Sequence, residues 1–263
     1  MLSSRVQVAL VAGLLISLGV GLTLYKAVNF GFPLLPGQYR EVWTVETKTS
    51  FQPSSNGPVE VELVLPTLLA GWSNLDEHFA SSGFGFSVID DLADTGSASV
   101  SRRARWSRET LDRPTTLYYK MQIYRTAEPN ALPDYPLAYP VAPSLEPDQL
   151  AAMQRLVAKL GEQSSGPETF TILLLQEFLR KSPDQDTLFL SSSYQDDKLT
   201  VIMDVLRYRG IPAHQLRGIF LEDGRRRQTL SSLVEIYDGQ QWLILNPNTG
   251  STGLPHNFFI WQR

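Results

Sequence analysis

Three histidines (His78, His214 and His256), a run of serines (Ser191, Ser192 and Ser193), and no cysteine make up the obvious nucleophile and base inventory of this 263-residue chain. A serine hydrolase needs an imidazole within hydrogen-bond reach of the hydroxyl and a carboxylate behind it. His214 is expected at the entry to a strand, His78 in a loop of a β-rich domain and His256 in a terminal loop, so no such pair is legible. None of the three stands at the i, i+4 or His-x-x-x-Glu spacing of a zinc site, so no metal and no cofactor is expected. Asp196 and Asp197 could act as paired carboxylates, but capping a helix accounts for them equally well. Arg102, Arg103 and Arg105 read as the solvated face of a strand, and Arg225 to Arg227 as a solvated turn, with contact to an anionic partner or lipid headgroup as the alternative.

These residues need elements to position them. Val6 to Tyr25 carries no charge over 20 residues, about 30 Å of helix and enough to cross a bilayer core. Arg5 and the α-amino group precede it, which predicts a cytoplasmic N-terminus with the bulk of the chain outside. Gly13, Ser17 and Gly21 form a small-residue face on this segment. Period-two alternation predicts strands at 42–52, 59–66, 97–107 and 115–126. Trp43, Trp72, Trp106, Tyr118 and Tyr119 in this region read as core aromatics rather than a sugar platform. Six prolines in the 19 residues from Pro129 to Pro147 predict an extended crossing. Helical spacing then returns at 146–163, with Gly161 as a stop, and at 167–182. The net charge of -4 lacks the basic footprint of a nucleic-acid-binding protein.

A further helix is expected over 198–209, capped by Asp196 or Asp197 and ended by Gly210 and Pro212. Strands at 213–221 and 228–237 follow. Asp238-Gly239 signals a two-residue hairpin into a strand at 240–246.

The stretch "LRYRGIPAHQLRGI" at 206–219 resembles the L-R-x-x-G-I-P-A-R segment of transglutaminase-like thiol enzymes. Leu206, Arg207, Gly210, Ile211, Pro212 and Ala213 match, and His214 replaces the arginine. By that resemblance the nucleophilic cysteine falls at Gln195, opening a helix over 195–209. The family's histidine, before W-x-E-V-Y, falls at Ser231 in "SSLVEIY", where Glu235 and Tyr237 match and Leu233 replaces the tryptophan. Its acid, in W-x-x-x-D-P-T, falls at Asn246 in "WLILNPN", where Trp242 and Pro247 match. Glutamine cannot attack a carboxamide and serine cannot act as a base near neutral pH, so the implied triad is lost. No catalytic residue is expected.

The whole arrangement resembles bacterial inactive transglutaminases fused to seven membrane helices. The fold class implied is α+β: an N-terminal transmembrane helix (1–30), a small β-rich domain (38–127), a Pro-rich linker (128–146) and a transglutaminase-like, papain-like helix-plus-antiparallel-sheet domain (147–263). By that resemblance a C-terminal seven-helix bundle is expected to follow, so either this chain is a fragment or the bundle is missing. Anchored in a bacterial inner membrane with its bulk periplasmic, it is expected to bind a peptide or protein through a groove of Gln195, Ser231, Trp242 and Asn246. The alternatives are a hydrolase using a serine near 191–193, and a purely structural ectodomain.

Overall fold

The computed structural model describes residues 4–30, 41–53, 56–67, 69–91, 101–126, 140–195 and 197–263, without the side chains of 4–9, 28–30, 91 and 101. Most of the Pro-rich crossing, most of the first linker and Asp196 lie outside the described residues. The chain divides into two compact units, Met1–Val42 and Trp43–Arg263.

The first unit is dominated by α1, Ser4–Phe30. Within it Leu10–Ala27 is long and apolar enough to cross a membrane. Leu14 and Ile16 are 71% and 66% exposed, so the apolar side chains of this helix are not packed within its own unit among the described residues. Thr23 sends its hydroxyl back to Gly19 O at 2.8 Å, which keeps a polar atom satisfied where water would be lacking.

The second unit opens with two three-stranded antiparallel sheets. One holds β1 (Val42–Phe51), β6 (Thr115–Arg125) and β3 (Trp72–Ala80), in the order β1-β6-β3. The other holds β2 (Gly57–Leu65), β5 (Ser101–Leu111) and β4 (Gly85–Asp91), in the order β2-β5-β4. They share a core of Val45, Leu65, Trp72, Trp106, Tyr119 and Ile123. Alternation explains it: along β6, Leu117, Tyr119, Met121 and Ile123 are buried while the residues between are not. Trp72, Trp106 and Tyr119 are thus core aromatics, at 3%, 2% and 1% exposure.

β3, β4 and Phe258–Gln262 are strands that the sequence expectation did not include, and β5 runs Ser101–Leu111 rather than 97–107. β3 reads "WSNLDEHFA", whose Asn, Asp and Glu are poor strand formers, and it is held by register against β6, with His78 opposite Lys120. His78 therefore lies on a strand, not in a loop. The arginines of β5 are not a bare solvated face either. Arg102 reaches Glu77 at 2.8 Å, Arg103 reaches Glu62 at 2.7 Å and Arg105 reaches Glu62 at 2.6 Å. Glu62 stands directly opposite Arg105 on the neighbouring strand and diagonal to Arg103, while Arg102–Glu77 ties β5 to β3 of the other sheet.

The helical layer follows. α2 (Pro147–Glu162) starts with proline at its first turn and Gln149 Oε1 accepting from Glu146 N–H at 3.1 Å. It runs through Gly161, since Ala152, Met153, Leu156 and Leu160 hold its buried side. α3 (Pro167–Leu179) is followed by α4 (Gln185–Ser193), a helix without a clear sequence pattern. α5, Lys198–Arg209, is capped by Asp197, whose side chain accepts from Thr200 N–H at 3.2 Å. Gly210, at φ 79°, ends it in the left-handed conformation that favours glycine.

The closing sheet is antiparallel in the order β10-β7-β8-β9, from Phe258–Gln262, Ala213–Phe220, Ser231–Tyr237 and Trp242–Leu245. Val234, Ile236 and Leu245 pack with the helices, whereas Leu216, Leu233, Ile244 and Phe258 form a core on the opposite face. β8 is buried on both faces, which explains its unbroken "LVEI" run. β8 and β9 are joined by four residues rather than a two-residue hairpin. Asp238 Oδ1 accepts from both Gln240 N–H (2.7 Å) and Gln241 N–H (2.8 Å), bracing the longer loop. Trp72 Nε1 donates to Phe258 O at 3.2 Å and Trp261 Nε1 to Val64 O at 2.9 Å. With Ile219, Leu221 and Phe259 in the core of the first two sheets, these bonds fasten the closing sheet to them.

Candidate functional site

The helix that would carry a nucleophile begins at Lys198, three residues after Gln195, so the expected helix over 195–209 is shortened at its start. Gln195 is exposed and stands in a turn between α4 and α5 at φ 54°. Its N–H donates to Ser192 O at 3.2 Å. The physical reason is the cap: Asp197 accepts from Thr200 N–H, one of the free amides of the first turn of α5, so the helix starts at Lys198 and leaves Gln195 before it. Beside the turn, Tyr194 donates to Asp204 Oδ2 at 2.9 Å and Arg207 to Asp204 Oδ1 at 2.9 Å, which fixes the body of the helix against its own entry loop. Burial pushes the Tyr194 hydroxyl up to about 12, with the Asp204 carboxylate adding to the shift.

Strand alternation sets Ser231, Trp242 and Asn246 on the face of Leu233 and Ile244, opposite the face that α5 packs against. Ser231 ends β8 opposite Gly218. Asn246, 8% exposed, uses its side chain locally: Oδ1 accepts from Asn248 N–H at 2.9 Å, and its carbonyl accepts from Thr249 and Gly250. Among the described residues no hydrogen bond joins any two of Gln195, Ser231 and Asn246. Ser232, next along β8, is held by Gln215 Nε2 at 2.8 Å.

The same sheet face carries a charged cluster that the sequence did not announce. Glu235 is fully buried and its carboxylate meets the Arg263 guanidinium at 2.5 Å, with the Arg263 side chain 7% exposed. That guanidinium also lies 4.9 Å over the Trp242 ring, whose other neighbours are His214 at 5.0 Å and Tyr237 at 5.5 Å. Burial raises the Glu235 carboxyl against the opposing pull of Arg263. Burial, and then the Arg263 charge, push the His214 imidazole down to about 4. His214 is thus a neutral ring tilted against the Trp242 indole. One signal was legible: a glutamate inside the buried run "LVEI" demands a cation.

The serine alternative finds no partner geometry. Ser192 and Ser193 both donate to Phe189 O at 2.8 Å, at the end of α4. Among the described residues no hydrogen bond links either to a histidine. No group of three or more His, Asp or Glu suited to a metal ion occurs among them.

The glycine in "HQLRGI" has a structural cause. A Cβ on Gly218 would run into the carbonyl of Phe259 and stand 2.7 Å from the Phe258 ring, so only glycine lets β7 and β10 pair here.

A protein family described as inactive transglutaminase fused to 7 transmembrane helices matches residues 25–194, about two thirds of the chain. The match stops one residue short of Gln195. Among solved structures, a candidate cysteine protease from Cytophaga hutchinsonii has a similar fold, with a TM-score of 0.50 and 13% identity over 85% of this chain and 81% of that one. No curated protein matches the chain.

Proposed function

The chain belongs to the family of inactive transglutaminases fused to seven transmembrane helices, and from that premise we propose that it is an extracytoplasmic, membrane-anchored pseudoenzyme that holds a peptide or protein partner without reacting with it. The observation that carries the loss of chemistry is the entry to α5. A thiolate there would need a cysteine at the helix N-terminus. The chain contains none, and the aligned residue is an exposed glutamine in a left-handed turn. Ser231 and Asn246 standing for base and acid agree with that reading. The partner surface proposed centres on Ser231, Trp242 and Asn246 on one face of the closing sheet, with Gln195 in the α4–α5 turn as a separate contact. The topology rests on Arg5 and the α-amino group before the apolar segment of α1, in a bacterial inner membrane with the bulk periplasmic.

Two measurements on the full chain test this. Incubation with a fluorescent amine and a glutamine-rich acceptor protein, and separately with a fluorogenic amide, should give no turnover above buffer. Enzymatic turnover in either would end the pseudoenzyme reading. A photoreactive benzoylphenylalanine at Ser231 should crosslink to a protein outside the cytoplasm in spheroplasts. Adducts to cytoplasmic proteins would overturn the topology, and no adduct at all would overturn the binding surface.

A further inference from the structure

A cleft of about 420 Å³, lined by none of Gln195, Ser231, Trp242 and Asn246, lies between β1 and the loop that joins β7 to β8. We propose that it is a strand-addition site for an extended segment of a partner protein, apolar at alternate positions and acidic at those between.

The geometry begins with β1. It stands at the edge of its sheet, paired only with β6. Among the described residues no backbone bond outside that ladder involves Val42–Phe51. Six consecutive residues, Trp43 to Lys48, line the cleft. Successive residues of a strand point to opposite faces, so a cleft touching all six runs along the strand's edge, where unpaired N–H and C=O groups face outward. A peptide laid there gains main-chain hydrogen bonds first and side-chain selectivity second. The floor supplies that selectivity: Leu63, Ile219, Leu221 and Trp261 are apolar, and Leu230 at the mouth is 55% exposed.

Charge decides the occupant. Of the lining groups, Arg225 and Glu222 satisfy each other at 2.9 Å. Lys48 and Arg226 have no carboxylate partner among the described residues, against one unpartnered carboxylate, Glu46. Lys48 lies 5.9 Å from the Tyr118 ring centre, which holds the ammonium beside the strand. The rim is therefore net cationic and selects an acidic strand over a basic one. A second copy of this chain is the rival occupant, since edge strands pair readily with one another. Two-fold pairing of β1 with its copy would set one net cationic rim against another, whatever the register. Ser231 itself does not line the cleft, although its neighbour Leu230 does, and Gln195 and Asn246 do not either, so either proposal can fail alone.

The test uses the full chain in detergent micelles and fluorescein-labelled peptides of about eight residues, alternating Val or Ile with Glu or Asp, read by anisotropy. Saturable binding in the range of about 1–100 μM is expected. A Lys-for-Glu version should bind at least about tenfold more weakly. Methylating alternate backbone amides of the peptide should abolish binding, because side chains are kept while strand pairing is blocked. Arg226→Glu, on an exposed loop and checked for an unchanged circular dichroism spectrum, should weaken binding of the acidic peptide about tenfold and improve that of the basic one. Gln195→Ala should change neither. Failure of every acidic peptide to bind, or binding indifferent to amide methylation or to Arg226→Glu, overturns the proposal. A concentration-dependent dimer in sedimentation that blocks the peptide also overturns it, assigning the edge to a second copy.

Discussion

Replacing Glu235 by glutamine keeps the shape of the side chain and removes its charge, leaving the Arg263 cation at 7% exposure without its counter-ion. Breaking a buried ion pair from one side costs about 3–5 kcal/mol, mostly the desolvation of the charge left behind. Arg263 also lies against Trp242, and that contact survives the substitution, so the lower half of the range, about 3 kcal/mol, is expected. Arg263→Met should cost a similar amount, since it orphans a carboxylate already raised by burial. The double variant removes both charges and should cost only about 1 kcal/mol, which makes the two strongly non-additive, by several kcal/mol. The assay is urea unfolding followed by tryptophan fluorescence, with Trp242 reporting from the cluster itself. With a slope of about 2–3 kcal/mol/M for a domain of this size, each single variant should lower the midpoint by about 1 M or more. Single variants that shift it by less than about 0.3 M, or a double variant as unstable as the singles combined, would refute the argument that the pair is buried and mutually required.

Gly218→Ala should destabilise by about 3 kcal/mol, because the new methyl meets a backbone carbonyl that cannot move without opening the β7–β10 ladder; a melting temperature within error of wild type would contradict it. His214 contributes stability that is complete above its ordinary value of 6.5 and is lost as pH falls toward about 4, since the unfolded chain binds the proton first. Its partial exposure reduces the effect to roughly 1–2 kcal/mol. His214→Phe should therefore flatten the stability profile over that window, and an unchanged acid limb would rule the residue out as its source. Rebuilding Gln195→Cys, Ser231→His and Asn246→Asp together should yield little or no acyl transfer, since α5 starts after residue 195 and a triad must be held to within about 0.5 Å; turnover approaching that of a thiol enzyme would show the scaffold still organised for chemistry.

Much of what surrounds the site was local, and local features are legible. Asp197 and Gly210 delimit α5 because a cap and a left-handed stop act within a few residues of the chain. The alternation in 42–52 and 115–126 marks β1 and β6 because each strand has one buried face. The apolar segment of α1 is plain from composition, and the absence of a thiol needs no coordinates at all. α4 was not legible: "QDTLFLSSS" has no sustained apolar period, and it is helical because Leu190 and Thr187 are buried in the helical layer. β3 was missed for a related reason, its Asn, Asp and Glu being tolerated only because β6 offers a ladder. The counter-ion of Glu235 lies 28 positions away, and no pattern within β8 points to Arg263. The cleft beside β1 is more distant still, since it exists only where residues near 45 and near 225 meet. Sequence by itself determined the elements whose signals fit within one turn or one strand. Tertiary packing decided which faces meet, because burial and charge pairing are settled by neighbours that the chain brings from far away.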